Sequence, residues 1–398
     1  MSVAVAQKML HFMENASWIR KMFEEGARLK EIHGAENVFD FSLGNPNVPP
    51  PEAVQQKLVE IVNRCRPGMH AYMPNAGLSV ARRAVSDYLS REHHIALRSD
   101  HIIATCGAAG ALNVIFKALL DPQDEVLVPS PYFVEYAFYA DNHGGVLKTV
   151  PTRADFTLDL EAMAEAIGPR TKVVLINSPN NPTGQIYSEE SLERLGRLLE
   201  DRSERYGRPI FLVSDEPYRK IVYDDHVVPC PFDFYPNTLI ATSYSKELSI
   251  PGERIGFVAV HPHAADLSAL LGALSLANRI LGFVNAPALM QYLVAELQGV
   301  TVDVSIYRRK RDRLVSGLRD AGYDLVVPPG AFYLFPRSPL PDDVEFVRLL
   351  QEEHILTVPG SGFGGPGHFR IAYCVDDVAI EGAMPGFARA MNRARSVG

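Results

Sequence analysis

The sequence predicts an α/β protein in which a large domain, built on a mostly parallel sheet with helices on both faces, is joined by a smaller α+β domain drawn from both chain ends. Three observations carry this. A chain of 398 residues exceeds what one ordinary hydrophobic core holds. Between residues 76 and 261, short β-branched runs alternate with longer stretches of helical spacing. After Asn285 the alternation gives way to long helical stretches followed by short strands.

Taken in order, the first 45 residues are helix-rich and too few to bury a core alone. They are expected to pack against the C-terminal part or a second subunit. Residues 46–285 form the expected large domain, with HIIAT, DEVLVPS, KVVLINS, PIFLVSDE, TLIATSY and RIGFVAV as strands. GAAGALNVIFKALL and SEESLERLGRLLEDRSERYG carry helical periodicity between them, the β/α alternation of an open sheet. Residues 286–398 supply ALMQYLVAELQ and VSIYRRKRDRLVSGLRDAG as helices, short strands around AFYLFP, ILTVPG and HFRIAY, and a last helix. With residues 1–45 they make the expected small domain.

Composition narrows the function classes. Hydrophobic residues at 47% and charged ones at 22% are those of a folded globular chain. A formal net charge of -8 argues against a nucleic-acid partner. The one basic cluster, Arg308 to Arg313, is interrupted by Asp312 and reads as a solvated helix face. The N-terminus lacks a basic start followed by an apolar core, and no run of 18 or more apolar residues follows, so a soluble, cytoplasmic protein without a membrane partner is expected. Cys65, Cys106, Cys230 and Cys374 lie far apart with no CxxC spacing. Neither a metal site nor a disulfide framework is indicated.

In open α/β sheets, ligands bind beyond the carboxyl ends of the strands, so polar residues there are informative. Asn177-Ser-Pro-Asn-Asn-Pro-Thr-Gly184 follows KVVLI, Ser214-Asp-Glu-Pro-Tyr218 follows PIFLV, Tyr244-Ser-Lys246 follows LIATS, and Arg254 opens the next strand. Singly these are a turn, a helix N-cap, an exposed lysine and a surface ion pair. Four such features at four strand ends point jointly to a site.

The set resembles the fold type I pyridoxal-phosphate enzymes, specifically the class I/II aminotransferases of the aspartate aminotransferase superfamily. FSLGNPN, AYMPNAGL, TCGAAGAL, PSPYFVEY, NSPNNPTG, SDEPY, SYSKELSIPGERIGF and FRIAY follow the family's order nearly end to end. The resemblance implies a seven-stranded sheet, pyridoxal 5'-phosphate as cofactor, and a ping-pong exchange of an amino group between a small L-amino acid and a 2-oxo acid through pyridoxamine phosphate. Lys246 would form the internal aldimine and carry the 1,3-proton shift, with its amine held below the usual lysine range. Asp215 would keep the pyridine nitrogen protonated. Asn181 and Tyr218 would donate to the ring 3'-oxygen, and Tyr132 would stack on the ring. Gly107, Ala108 and Ala109 at a helix N-terminus, with Ser243 and Arg254, would cup the phosphate. Tyr72 would reach the phosphate of the neighbouring subunit, which implies a homodimer with shared active sites. Arg370, Asn181 and Gly44 would bind substrate, Arg370 by its planar fork on the α-carboxylate.

Ala108 and Ala109 stand where many relatives carry a hydroxyl or a lysine, so phosphate contacts there should come from backbone. No motif assigns a second arginine to a side-chain carboxylate, Arg279 being a candidate. Gly360-Ser-Gly-Phe-Gly-Gly365 satisfies GxGxxG, yet a strand-forming segment follows it where a dinucleotide fingerprint requires a helix. Ser243-Tyr-Ser-Lys246 satisfies the SxxK of serine acyl-enzymes without their SDN or KTG partners. Two rival functions share the scaffold: a lyase acting at the β-carbon, and a non-catalytic ligand-binding relative, which usually lacks the lysine or adds a DNA-binding domain.

Overall fold

The computed structural model describes residues 4–14 and 18–397. They fall into two compact units, one of residues 46–306 and 328–331, the other of the N-terminal 45 residues with 307–327 and 332–398. The second boundary therefore lies about one helix beyond the Asn285 expected from sequence. The helix Ala288–Glu296 packs on the helices Glu52–Asn63 and Ser79–His93 and so belongs to the larger unit.

The larger unit holds a seven-stranded sheet of β1 (Ile102–Thr105), β2 (Glu125–Ser130), β3 (Val146–Pro151), β4 (Thr171–Asn177), β5 (Phe211–Asp215), β6 (Thr238–Ser243) and β7 (Gly256–Val260). Their spatial order is β1-β7-β6-β5-β4-β2-β3, and only β7 runs antiparallel to its neighbours. This is the mostly parallel sheet expected. Six strands coincide with the quoted runs, whereas β3 is an edge strand with one buried position, so VLKTVP lacks the continuous apolar run of a central strand.

Both faces are covered. Val126, Val128, Val173, Leu175 and Val213 pack with Leu112, Ile115 and Phe116 of the helix Gly107–Leu119. Leu127, Val174 and Leu212, one position out of phase, pack with Leu192, Leu195 and Leu199 of the helix Glu189–Tyr206. That helix has explicit ends: Ser188 accepts from Ser191 N, Glu189 and Glu190 occupy the first turn, and Gly207 at φ 63° closes it. Ile102, Ala104, Ile240 and Phe257 pack with Val85 and Leu89 of the helix Ser79–His93.

In the smaller unit Phe39–Asp40 pairs in parallel with Ile355–Leu356, and Leu29, Val38 and Leu356 cluster. The chain's start thus packs on its C-terminal part. Phe369–Ala372 lies between Val358–Pro359 and Tyr333–Leu334. The helix Asp343–Glu352, not picked out from the sequence, starts on an Asp342 cap. The Arg308–Arg313 cluster departs only in part from the expected solvated face: Arg308, Arg309, Asp312 and Arg313 are exposed. Lys310 and Arg311 are buried on the helix Val304–Asp320, and Lys310 Nζ donates to Val375 O at 2.6 Å, a carbonyl that only the folded unit brings near. The GxGxxG run is a loop, Gly360–Phe363 forming a single 3-10 turn ahead of a strand.

Candidate active site

Sheet register brings the strand ends that carry Asp215 and Ser243 into step. Asn177 is level with Asp215, Asp215 with Ala241, Ser243 with Gly256, and Gly256 with Thr105. Parallel neighbours ending in step put the loops after β4, β5 and β6 side by side.

Asp215, at the last position of β5, is buried. Tyr136 Oη donates to its Oδ2 at 2.5 Å, while Oδ1, equally buried, has no hydrogen-bond partner among the described residues. Burial pushes its carboxyl up to about 7; the Tyr136 bond opposes this and the neighbouring Glu216 adds to it. An orphaned oxygen on a sealed carboxyl is a place for a cationic N–H donor from a ligand. The protonated nitrogen of a pyridine ring is such a donor.

The turn after β4 is held to β5 by Asn177, whose Nδ2 donates to Asp215 O at 2.7 Å and whose Oδ1 accepts from Asn181 N at 2.7 Å. Asn180 Oδ1 accepts from Thr183 N and Oγ1 at 3.1 and 2.9 Å. The turn reading of NSPNNPTG and its functional reading are thus compatible, because the turn presents Asn181. Tyr218 is buried in the turn after β5, and Lys246, half-buried in the turn after β6, carries its Nζ 5.8 Å from the Tyr218 ring centre.

An anion cradle lies at the start of the helix Gly107–Leu119. Gly107 has φ +72°, and a methyl on it would stand 3.0 Å from Arg254 Nη2. A methyl on Gly256 would overlap the Thr242 carbonyl and the Gly107 backbone, so glycine at both positions lets the two chain segments and the guanidinium converge. Arg254, itself at φ 51°, donates through Nη1 to Pro251 O at 3.0 Å. Ser243 is buried at the end of β6, and Ala108 and Ala109 occupy the first helical turn. Free N–H groups, a helix N-terminus and a guanidinium are what a phosphate needs.

Tyr132 is half-buried; its neighbour Phe133 stands edge-on to Tyr136 with ring centres 5.5 Å apart. Tyr72 is 91% exposed. Arg279 is exposed near the end of the helix Leu267–Ile280. In the smaller unit Arg370 is almost fully buried, its guanidinium 4.8 and 4.6 Å from the ring centres of Tyr333 and Phe363, with Nη2 donating to Ser42 O at 2.5 Å. Gly44 faces the Tyr333 hydroxyl so closely that a methyl there would overlap it.

Tyr136 and Asn177 are the site residues that sequence reasoning missed. Tyr136 lies within the PSPYFVEY run, but its partner is 79 positions away and nothing local ties the two.

The fold and these strand-end residues define an α/β enzyme in which a half-engaged buried acid and a helix N-terminus beside a guanidinium lie at the same end of the sheet. The chain matches the family model of aminotransferase class I and II over residues 36–385 and belongs to that family. It is 34% identical over 366 residues, 88% of this chain and 90% of the relative, to the probable aspartate/prephenate aminotransferase of Aquifex aeolicus. The aspartate/prephenate aminotransferase of Thermus thermophilus is 34% identical over 89% of this chain and 91% of its own length. An aminotransferase structure from Eubacterium rectale superposes with a TM-score of 0.95 at 41% identity, covering 98% and 99% of the two chains. The aspartate aminotransferase of Thermus thermophilus with maleate superposes with a TM-score of 0.85 at 28% identity, over 98% of this chain and 100% of that one. The protein is an aminotransferase, of a family that generally depends on pyridoxal phosphate. Among the described residues no helix is long and apolar enough to cross a membrane.

Proposed function

We propose that the chain moves an amino group from a small L-amino acid to a 2-oxo acid in two successive half-reactions, using pyridoxal 5'-phosphate. The observation that carries this reading is Asp215, a buried carboxyl with one oxygen held by Tyr136 and the other orphaned. Its raised affinity for protons makes it a partner for a ring N–H, which in turn would hold it ionised. The orphaned oxygen and the cradle of Gly107 and Arg254 fit the two polar ends of that cofactor.

Pyridoxal phosphate, when bound, supplies an electron sink for the pair left on the substrate α-carbon. The rest falls to this chain. Asp215 holds the ring nitrogen's proton. Asn181 and Tyr218 orient the ring oxygen, and Tyr132 covers the ring. Gly107, Ala108 and Ala109 with Ser243 and Arg254 hold the phosphate, helped by Tyr72 from a second copy in a homodimer. Lys246 Nζ anchors the cofactor and, once released by substrate, takes and returns the α-carbon proton. Arg370 holds the α-carboxylate by its planar fork, and Asn181 and Gly44 are the further substrate contacts. A cytoplasmic location fits the absence of disulfides among the free Cys65, Cys106, Cys230 and Cys374.

The relatives' names put aspartate first among donors to test, with an acidic or small aliphatic side chain as the class. Purified protein with pyridoxal phosphate should show a visible absorption band that bleaches on adding the amino donor and returns on adding 2-oxoglutarate or pyruvate. Release of ammonia and pyruvate in place of that cycle would favour the β-lyase. A band that no amino acid bleaches would overturn both.

A further inference from the structure

Beside the loops after β5 and β6 lies a partly open cavity of about 40 Å³ that the proposed reaction does not use. It has room for a few waters. The helix Ser79–His93 contributes Tyr88, Glu92 and His93 to its wall; the segment after β5 contributes Glu216, Arg219 and Lys220; the turn after β6 contributes Tyr244 and Glu247.

Its charges do not balance. Arg219 pairs with Glu216 at 3.0 Å, and Lys220 pairs with Glu92. His93, 6% exposed in its side chain, is neutral near pH 7, because burial and then Arg219 push its pKa down to about 4. Glu247 is left as the third carboxylate against two cations. A half-buried carboxylate on a cavity wall, without a cation of its own, is favoured to bind a proton or a small cation. Among the described residues no cluster is suited to a metal ion.

A second observation is independent of this count. Glu92 Oε2 and His93 Nε2, both buried, have no hydrogen-bond partner among the described residues, and they stand 3.9 Å apart. That is too far for a direct bond and close enough for one water to serve both.

We propose that the cavity is a hydrated proton store, in which Glu247 holds one exchangeable proton in contact through water with Glu92 and His93, and whose charge state tunes the adjacent Lys246. The tuning rests on the reading of Lys246 as the cofactor's anchor; the store itself does not. Burial raises the Glu247 carboxyl to about 7, Lys220 pulling it down and Glu92 pushing it up. Ionised Glu247 favours the charged form of the Lys246 amine, and protonated Glu247 favours the neutral form.

The test uses the full-length protein labelled with ¹³C-carboxyl glutamate and read by infrared difference spectroscopy. A protonated-glutamate stretch should fade with a midpoint near pH 7 and be missing in Glu247→Gln. In Glu92→Gln, which frees Lys220 to face Glu247, the midpoint should fall by about one unit; this variant serves also if Glu247→Gln does not fold. A stretch that survives in Glu247→Gln, or a midpoint that moves with potassium or ammonium at constant ionic strength, would overturn the store. In the cofactor-loaded protein, the visible band should titrate in two steps in the wild type and one in Glu247→Gln. Identical titrations would overturn the tuning. A titrating glutamate in a protein that forms no visible band would remove the reading of Lys246 and leave the store standing.

Discussion

Asp215 and Glu216 are consecutive buried carboxyls at the end of β5, and they are treated oppositely. Glu216 has both oxygens engaged, Oε1 by Ser214 Oγ at 2.8 Å and Oε2 by Arg219 at 3.0 Å. Asp215 has one oxygen engaged by Tyr136 and one left over. Successive residues of a strand point to opposite sides. One side of the β5 end is therefore a completed ion pair, and the other is a half-built site that a ligand finishes. Between these two consecutive acids it is hydrogen bonding, and not burial, that differs.

The comparison can be broken in four ways. The largest effect should come from Lys246→Ala, which should lower turnover by about 10⁴-fold or more while leaving thermal stability nearly unchanged, since a half-buried turn residue contributes little packing. Steady-state rates with a denaturation curve check both halves. Retained turnover would move the anchor elsewhere.

Asp215→Asn should cost about 10³-fold in turnover, yet stabilise the cofactor-free protein at high pH. The folded carboxyl titrates at about 7, above its unfolded value, so proton binding favours the fold. The wild type's stability is full below the unfolded pKa and is lost as pH rises through about 7, and the amide avoids that loss. The variant's relative gain should reach about 1–4 kcal/mol above that pH and vanish in acid. Urea unfolding at several pH values reads it, and a gain independent of pH would contradict the assignment.

Arg219→Met tests the structural side. Leaving Glu216 buried without its cation should destabilise the fold by about 3 kcal/mol, with turnover per folded molecule changed far less than in Asp215→Asn. If turnover collapsed with stability intact, the two sides would not be separate. The smallest effect is expected from Tyr136→Phe, which removes one donor to Asp215. Turnover should fall by about tenfold, and the Asp215 carboxyl should titrate still higher, visible as a shifted acid limb in the pH–rate profile.

Much of this was legible before the fold was known. The strand-end position of Asp215, Lys246 and Arg254 was readable because β-branched runs mark buried parallel strands, and polar residues directly after them have little structural reason to recur. Edge strand β3 was not readable as a strand, because one solvent-facing side removes the continuous apolar signal. The basic run around Lys310 and Arg311 misled because charge periodicity does not reveal which carbonyl a folded unit will offer. Tyr136 was invisible as a partner, since its role depends on an acid that sequence places 79 residues away.

The sequence by itself determined the α/β layering, the strand ends, the family and the residue types able to hold a phosphate and a ring nitrogen, because periodicity and motif spacing are local properties. Tertiary structure alone decided which groups are paired and which are left open. Pairing depends on register, on the side of the sheet a side chain takes, and on burial, which turns an ordinary carboxyl into one that binds protons near neutrality. That is the difference between Asp215 and Glu216, and no spacing in the chain encodes it.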